Sequence, residues 1–175
     1  MQPATSTYFH QDFVYIKDFI YRPNNFICSG LIAEAESGEY GACKFKLNDF
    51  SIRFRVAKIT PAKIGQFVTL WKRIGSGPIQ PYDISDDIDF FIVSVRRDNN
   101  FGQFIFPKSA LYKHDIISKD GIGGKRAMRV YPTWDKTTSK QAQKTQEWQI
   151  EYFLKIPENK EIDLSRLFKL LRIEI

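Results

Sequence analysis

Residues 43–56 read CKFKLNDFSIRFRV, and the alternation inside them decides the fold class. Cys43, Phe45 and Leu47 alternate with Lys44 and Lys46, Asn48-Asp49 interrupts, and Ile52, Phe54 and Val56 then alternate with Arg53 and Arg55. A period of two, broken by a turn dipeptide, predicts a β-hairpin. Successive side chains of a strand point to opposite faces, so Lys44, Lys46, Arg53 and Arg55 are expected together, opposite the apolar set, as a cationic patch.

Beyond the hairpin, Thr60-Pro61 supplies an N-cap and a first-turn proline. Ile64, Phe67, Val68 and Trp71 follow at helical spacing, with Lys63, Gln66, Lys72 and Arg73 on the remaining faces. Gly65 inside this predicted helix points to a close packing approach. Residues 74–89 (IGSGPIQPYDISDDID) read as an acidic loop, 90–96 and 102–106 as strands joined by Asp98-Asn99-Asn100, 107–114 as helical turns and 126–131 as a strand. A polar linker leads to a helix over 140–154 with Trp148 and Tyr152 one turn apart, and Asp163 caps a last helix burying Leu164, Leu167, Phe168 and Leu171. On the N-terminal side, residues 29–40 read as a short helix or irregular segment. Residues 7–20 read as an amphipathic helix (Phe9, Phe13, Ile16, Ile20) capped by Thr5 or Ser6 and stopped by Pro23-Asn24-Asn25. This order predicts a single α/β domain over 1–175, a mixed β-sheet flanked by helices.

A hydrophobic fraction of 43% over 175 residues suffices for one core and is cramped for two domains. No apolar run approaches the roughly 20 residues of a membrane helix, and MQPATSTYFH lacks the basic start and apolar stretch of a secretory signal. A cytoplasmic location without membrane contact is therefore expected. Cys28 and Cys43 have no CxxC spacing, and His10 and His114 lie far apart, so neither a structural zinc site nor a nucleophilic triad is expected, and the cysteines read as buried free thiols. Asp83, Asp86, Asp87 and Asp89 lack EF-hand spacing and read as a solvated acidic loop.

The net charge is +6, and it is localised: residues 41–73 hold eight cations (Lys44, Lys46, Arg53, Arg55, Lys58, Lys63, Lys72, Arg73) against Asp49 alone. Such an excess suits phosphate contacts. A second basic segment, GIGGKRAMRVYPTW, adds Lys125, Arg126 and Arg129, with Trp134 in a polar loop as a candidate surface for base stacking. It is not a P-loop, because Lys119 stands where the motif needs glycine and Arg126 where it needs Ser or Thr. Lys58 shares the parity of Ile52, Phe54 and Val56 and is expected to face the apolar side. A nuclease site would use it beside Mg²⁺ held by Glu36 or Asp49, but Val56, not a carboxylate, lies two residues before it.

The strings RVAKITPAKIGQFVTLWKR, GPIQPYD, GQFIFPKSAL, GKRAMRVYPTWD and AQKTQEWQ, in this order, resemble those of the MepB family over roughly residues 53–153. The resemblance implies a bacterial cytoplasmic protein of a family named for a gene beside a multidrug efflux pump and its repressor. It also implies a fold similar to restriction-endonuclease-like domains, whose nucleases carry Glu-x-Lys where this chain has Val56-Ala57-Lys58.

The first functional expectation is sequence-tolerant binding of DNA or RNA without catalysis or cofactor, through Lys44, Lys46, Arg53, Arg55, Lys58, Lys63, Gln66, Lys72, Arg73, Lys125, Arg126, Arg129 and Trp134. The second is a Mg²⁺-dependent nuclease using Lys58 with Glu36 or Asp49. The third is binding of aromatic or cationic small molecules by cation-π contacts from Trp71, Trp134 or Trp148.

Overall fold

The computed structural model of the chain describes residues 8–158 and 161–174. The alternating stretch forms the expected hairpin, β2 (Cys43–Leu47) and β3 (Phe50–Val56), with Lys44 opposite Arg53 and Phe45 opposite Ile52. Asn48 turns the chain with a φ of 52°. Around this hairpin grows a six-stranded sheet with β1 (Cys28–Ala33), β8 (Phe90–Arg97), β9 (Asn100–Pro107) and β11 (Phe153–Lys155), in the order β1-β2-β3-β8-β9-β11. Only the β3–β8 pairing in this sheet is parallel. The α/β class and the mixed sheet with flanking helices are as expected.

Alternation sorts the central strands onto two cores. Ile52, Phe54, Phe90, Ile92 and Ile105 pack with Phe13 and Ile16 of α1 (Gln11–Ile16) and with Leu167 of α4 (Leu164–Leu170). Phe91, Val93, Val95, Phe104 and Phe106 face the other way, onto Val68, Leu70, Leu111 and Val130. Strands buried on both faces read as near-continuous apolar runs, which is the character of 90–95 and 104–106. Asp163 caps α4 by accepting from the Arg166 amide at 2.9 Å. His10 caps α1, accepting from the Asp12 amide at 3.0 Å, whereas the expected caps Thr5 and Ser6 lie outside the described residues.

Three segments depart from expectation. Residues 60–73 are not a helix: β5 (Gln66–Thr69) pairs with β4 (Lys58–Ile59) and with β10 (Ala127–Val130), while β6 (Trp71–Arg73) pairs with β7 (Ile79–Pro81) inside the expected loop. Ala62 takes a positive φ before Ile64 and Gly65 another before Phe67, which breaks a helix among its apolar positions. The parallel β3–β8 connection, more often a helix, is here a small β layer. Residues 28–33 form edge strand β1 because their backbone finds the free side of β2. α3 (Lys140–Ile150) ends four residues early, where β11 takes Phe153 and Leu154 into the β9 ladder. α2 (Lys108–Lys113) lies within the expected helical turns.

Both cysteines are free. Cys43 is buried and Cys28 half-buried, and burial pushes their thiols up to about 12 and about 11, so both stay protonated at neutral pH. No helix among the described residues is long and apolar enough to cross a membrane.

Candidate nucleic-acid interface

Lys44, Lys46, Arg53 and Arg55 share a face as predicted, but much of that face is covered. The crossover β layer lies over it, and acidic groups from residues 34–39 and 86–87 neutralise most of it. Glu34 bridges two guanidiniums, with Arg53 Nη1 2.6 Å from Oε1 and Arg55 Nη1 2.6 Å from Oε2. Arg55 is only 1% exposed; it also donates to Phe54 O and to the Tyr82 hydroxyl, which burial raises above the ordinary phenol value. Lys72 holds both oxygens of Asp86, at 2.8 and 2.6 Å, and Arg73 Nε meets Glu36 at 2.8 Å. Lys46 donates to Ser51, whose hydroxyl donates to Asp87. Lys44, partly exposed, makes no ion pair among the described residues.

Further expectations are corrected on this face. Lys58 does not face the core: the chain leaves the large sheet at Ala57, and Lys58 reaches Glu39 at 2.9 Å and lies 4.5 Å from the Tyr40 ring centroid. Glu36 is bound to Arg73. Asp49 sits exposed in the hairpin turn, separated from Lys58 by roughly 30 Å of extended chain. The three nuclease candidates are therefore not brought together. No group of three or more His, Cys, Asp or Glu among the described residues could hold a metal ion. Gln66 is 1% exposed and donates to Arg96 O, so it is not a surface contact. Trp134 is half-buried, packs edge-on against Phe153 at 5.6 Å and has its Nε1 buried.

A different set of cations converges elsewhere. Gln149, completely buried on α3, donates to Arg129 O at 2.9 Å and accepts from the Tyr131 amide at 2.9 Å, satisfying the free edge of β10. One turn earlier, Gln146 donates to Pro132 O and Asp135 O, both at 2.9 Å. This pinning leaves a groove of about 730 Å³ between α3 and β10, bordered by Lys125, Arg129, Lys144 and Trp148. It adjoins a hollow of about 270 Å³ that reaches Lys63 and shares Arg129 and Tyr131 with it.

The cations here form no direct ion pair among the described residues. Arg129 is held by neutral acceptors alone, Thr60 Oγ1 at 2.7 Å and the Ile64 and Gly65 carbonyls at 3.4 and 3.3 Å. Lys63, Lys125 and Lys144 are exposed and form no ion pair among the described residues. Glu147 and Glu151 are the groove's carboxylates. Arg126 is exposed but does not line the groove. On the groove wall, the His114 ring lies 4.0 Å from Trp148 at 7° between planes, and Trp148 rests on Phe106 at 5.4 Å. Desolvation, with Lys113 beside it, holds His114 below the ordinary imidazole value.

Lys144 and the His114–Trp148 stack were not anticipated. Lys144 and Trp148 are four residues apart and so share a helix face, a signal present in the sequence; His114 approaches only through the tertiary fold. Gly65 shapes the opposite wall: its φ is 81°, and a Cβ there would lie 2.6 Å from the Tyr131 ring and 3.0 Å from Val130 O. The close approach expected of this glycine is to that ring. Gly65→Ala should destabilise the protein by about 1–3 kcal/mol in urea unfolding, because alanine must hold a left-handed φ while displacing Tyr131. An unchanged midpoint would show that this wall relaxes freely.

The MepB-like family model matches residues 34–155. The crystal structure of MepB superposes with a TM-score of 0.73 at 31% sequence identity, covering 87% of this chain and 99% of that one. No curated protein matches the chain.

Proposed function

Since the chain belongs to the MepB-like family, we propose that it binds nucleic acid, largely without regard to sequence, through the groove between α3 and β10. Lys63, Lys125, Arg129 and Lys144 would hold phosphates. The observation that supports this most is the contrast between the two basic regions. Of the cations over 44–73, Arg53 and Arg55 are paired with Glu34, Lys58 with Glu39, Lys72 with Asp86 and Arg73 with Glu36, whereas the four groove cations, from three segments, have no carboxylate partner among the described residues. Phosphate contacts require charge that the fold has not already neutralised.

On this reading the mixed sheet is a restriction-endonuclease-like scaffold used for holding strands and not for cutting them, in a cytoplasmic protein. Val56 occupies the position where a Glu-x-Lys nuclease carries its carboxylate, and no acidic cluster stands in for it among the described residues. The small-molecule alternative would also use this groove, since Trp148 lines it. Lipophilic cations, however, would meet four cations against the two carboxylates Glu147 and Glu151 there, an excess that favours an anionic ligand.

Fluorescence anisotropy with labelled single-stranded and duplex DNA, without divalent metal, tests the proposal. Four phosphate contacts predict that affinity falls roughly 50- to 150-fold between 50 and 200 mM salt. Absence of binding at the lower salt would remove the reading and leave the charge as a solubility feature.

A further inference from the structure

The groove carries an aromatic feature that phosphate binding does not use. His114, at the C-terminal end of α2, lies nearly parallel on Trp148 of α3, 4.0 Å away, and Phe106 and Tyr152 brace the indole from the core. Both rings of the stack are only partly buried, and both line the groove. Lys125 and Lys144 line the same groove. Planar rings beside a cationic track are the two components of a single-strand site: the track follows the backbone while the rings receive the faces of bases.

We propose that the His114–Trp148 stack receives an unpaired base, so that the preferred ligand of this groove is single-stranded nucleic acid. This inference rests on the nucleic-acid reading above. In a duplex, neighbouring bases already cover both faces of each base, and exposing one costs unstacking free energy that a free strand does not require. Desolvation, with Lys113 beside it, lowers the His114 pKa and so favours the neutral ring, which suits stacking on a neutral base. Gln141, Thr145 and Glu147 also line the groove and offer donors and acceptors to base edges without imposing one base pattern.

The test uses three probes of equal length: a single-stranded oligonucleotide, the same strand with abasic positions, and a blunt duplex. Each is titrated against the wild-type protein, His114→Ala and His114→Phe. The base-bearing strand should bind roughly 5- to 100-fold more tightly than the abasic strand, and more tightly than the duplex, with Trp148 emission changing on binding. His114→Ala should shrink that advantage without altering affinity for the abasic strand, and His114→Phe, which keeps a ring on Trp148, should restore it. Equal, salt-sensitive affinity for base-bearing and abasic strands would overturn the stacking site while leaving the phosphate groove intact. Tighter binding of the duplex would also overturn it, and failure of all three probes to bind would remove the underlying reading.

Discussion

Arg55→Ala should lower stability by about 3–5 kcal/mol, the cost typical of breaking a buried ion pair by removing one partner. The guanidinium is 1% exposed and lies 5.4 Å from the Phe91 ring centroid, with Glu34, Tyr82 and the Phe54 carbonyl accepting its hydrogen bonds. Its loss leaves the Tyr82 hydroxyl without that contact, leaves Glu34 with Arg53 alone, and opens a cavity between the large sheet and the crossover layer. Arg53→Ala should cost less, since its side chain is 18% exposed and water can replace it. Lys58→Ala, at an exposed pair with Glu39, should cost no more than about 1 kcal/mol. Urea unfolding of the three variants measures this ranking. An Arg55→Ala midpoint no lower than that of Lys58→Ala would mean that the buried cation is not what joins the layers.

The second large effect concerns binding. Lys63→Glu, Lys125→Glu and Lys144→Glu combined should reduce affinity for single-stranded DNA by at least about 100-fold at moderate salt, and should flatten the logarithmic salt dependence by about 2. Stability should stay within about 0.5 kcal/mol of wild type, because all three side chains are exposed and form no ion pair among the described residues. Lys44→Glu with Lys46→Glu, on the hairpin face, is the matched control and should have a much smaller effect. If the hairpin pair proved the more damaging, the interface would belong on that face and the groove would be incidental.

These two experiments separate roles that charge counting merges. Arg55 and Lys125 contribute equally to the net charge, yet one is interior structure and the other is available to a polyanion. Reversing Arg53 and Arg55 would therefore be a poor binding test, since any lost affinity would follow from lost folding.

The amino-acid sequence by itself determined the local periods. The hairpin over 43–56, the strands over 90–97 and 100–107, and the helices capped at the start of α3 and α4 follow from alternation, helical spacing and caps, which act between residues close along the chain. The strings between residues 53 and 153 also carried the family resemblance. Residues 60–73 were ambiguous because Ile64, Phe67, Val68 and Trp71 fit a helical face, while Val68 and Leu70 equally fit one side of a strand. Pairing with β10, more than fifty residues away, settled the choice.

The tertiary structure alone decided which polar face is covered and which charge is free. Alternation says that Arg53 and Arg55 share a face, not that residues 57–89 fold over it or that Glu34 arrives between them. The groove likewise draws Lys63, His114, Lys125, Arg129 and Lys144 from four segments. A side chain's solvation and the identity of its counter-charge depend on contacts between residues distant in sequence, and a local pattern carries no information about those contacts.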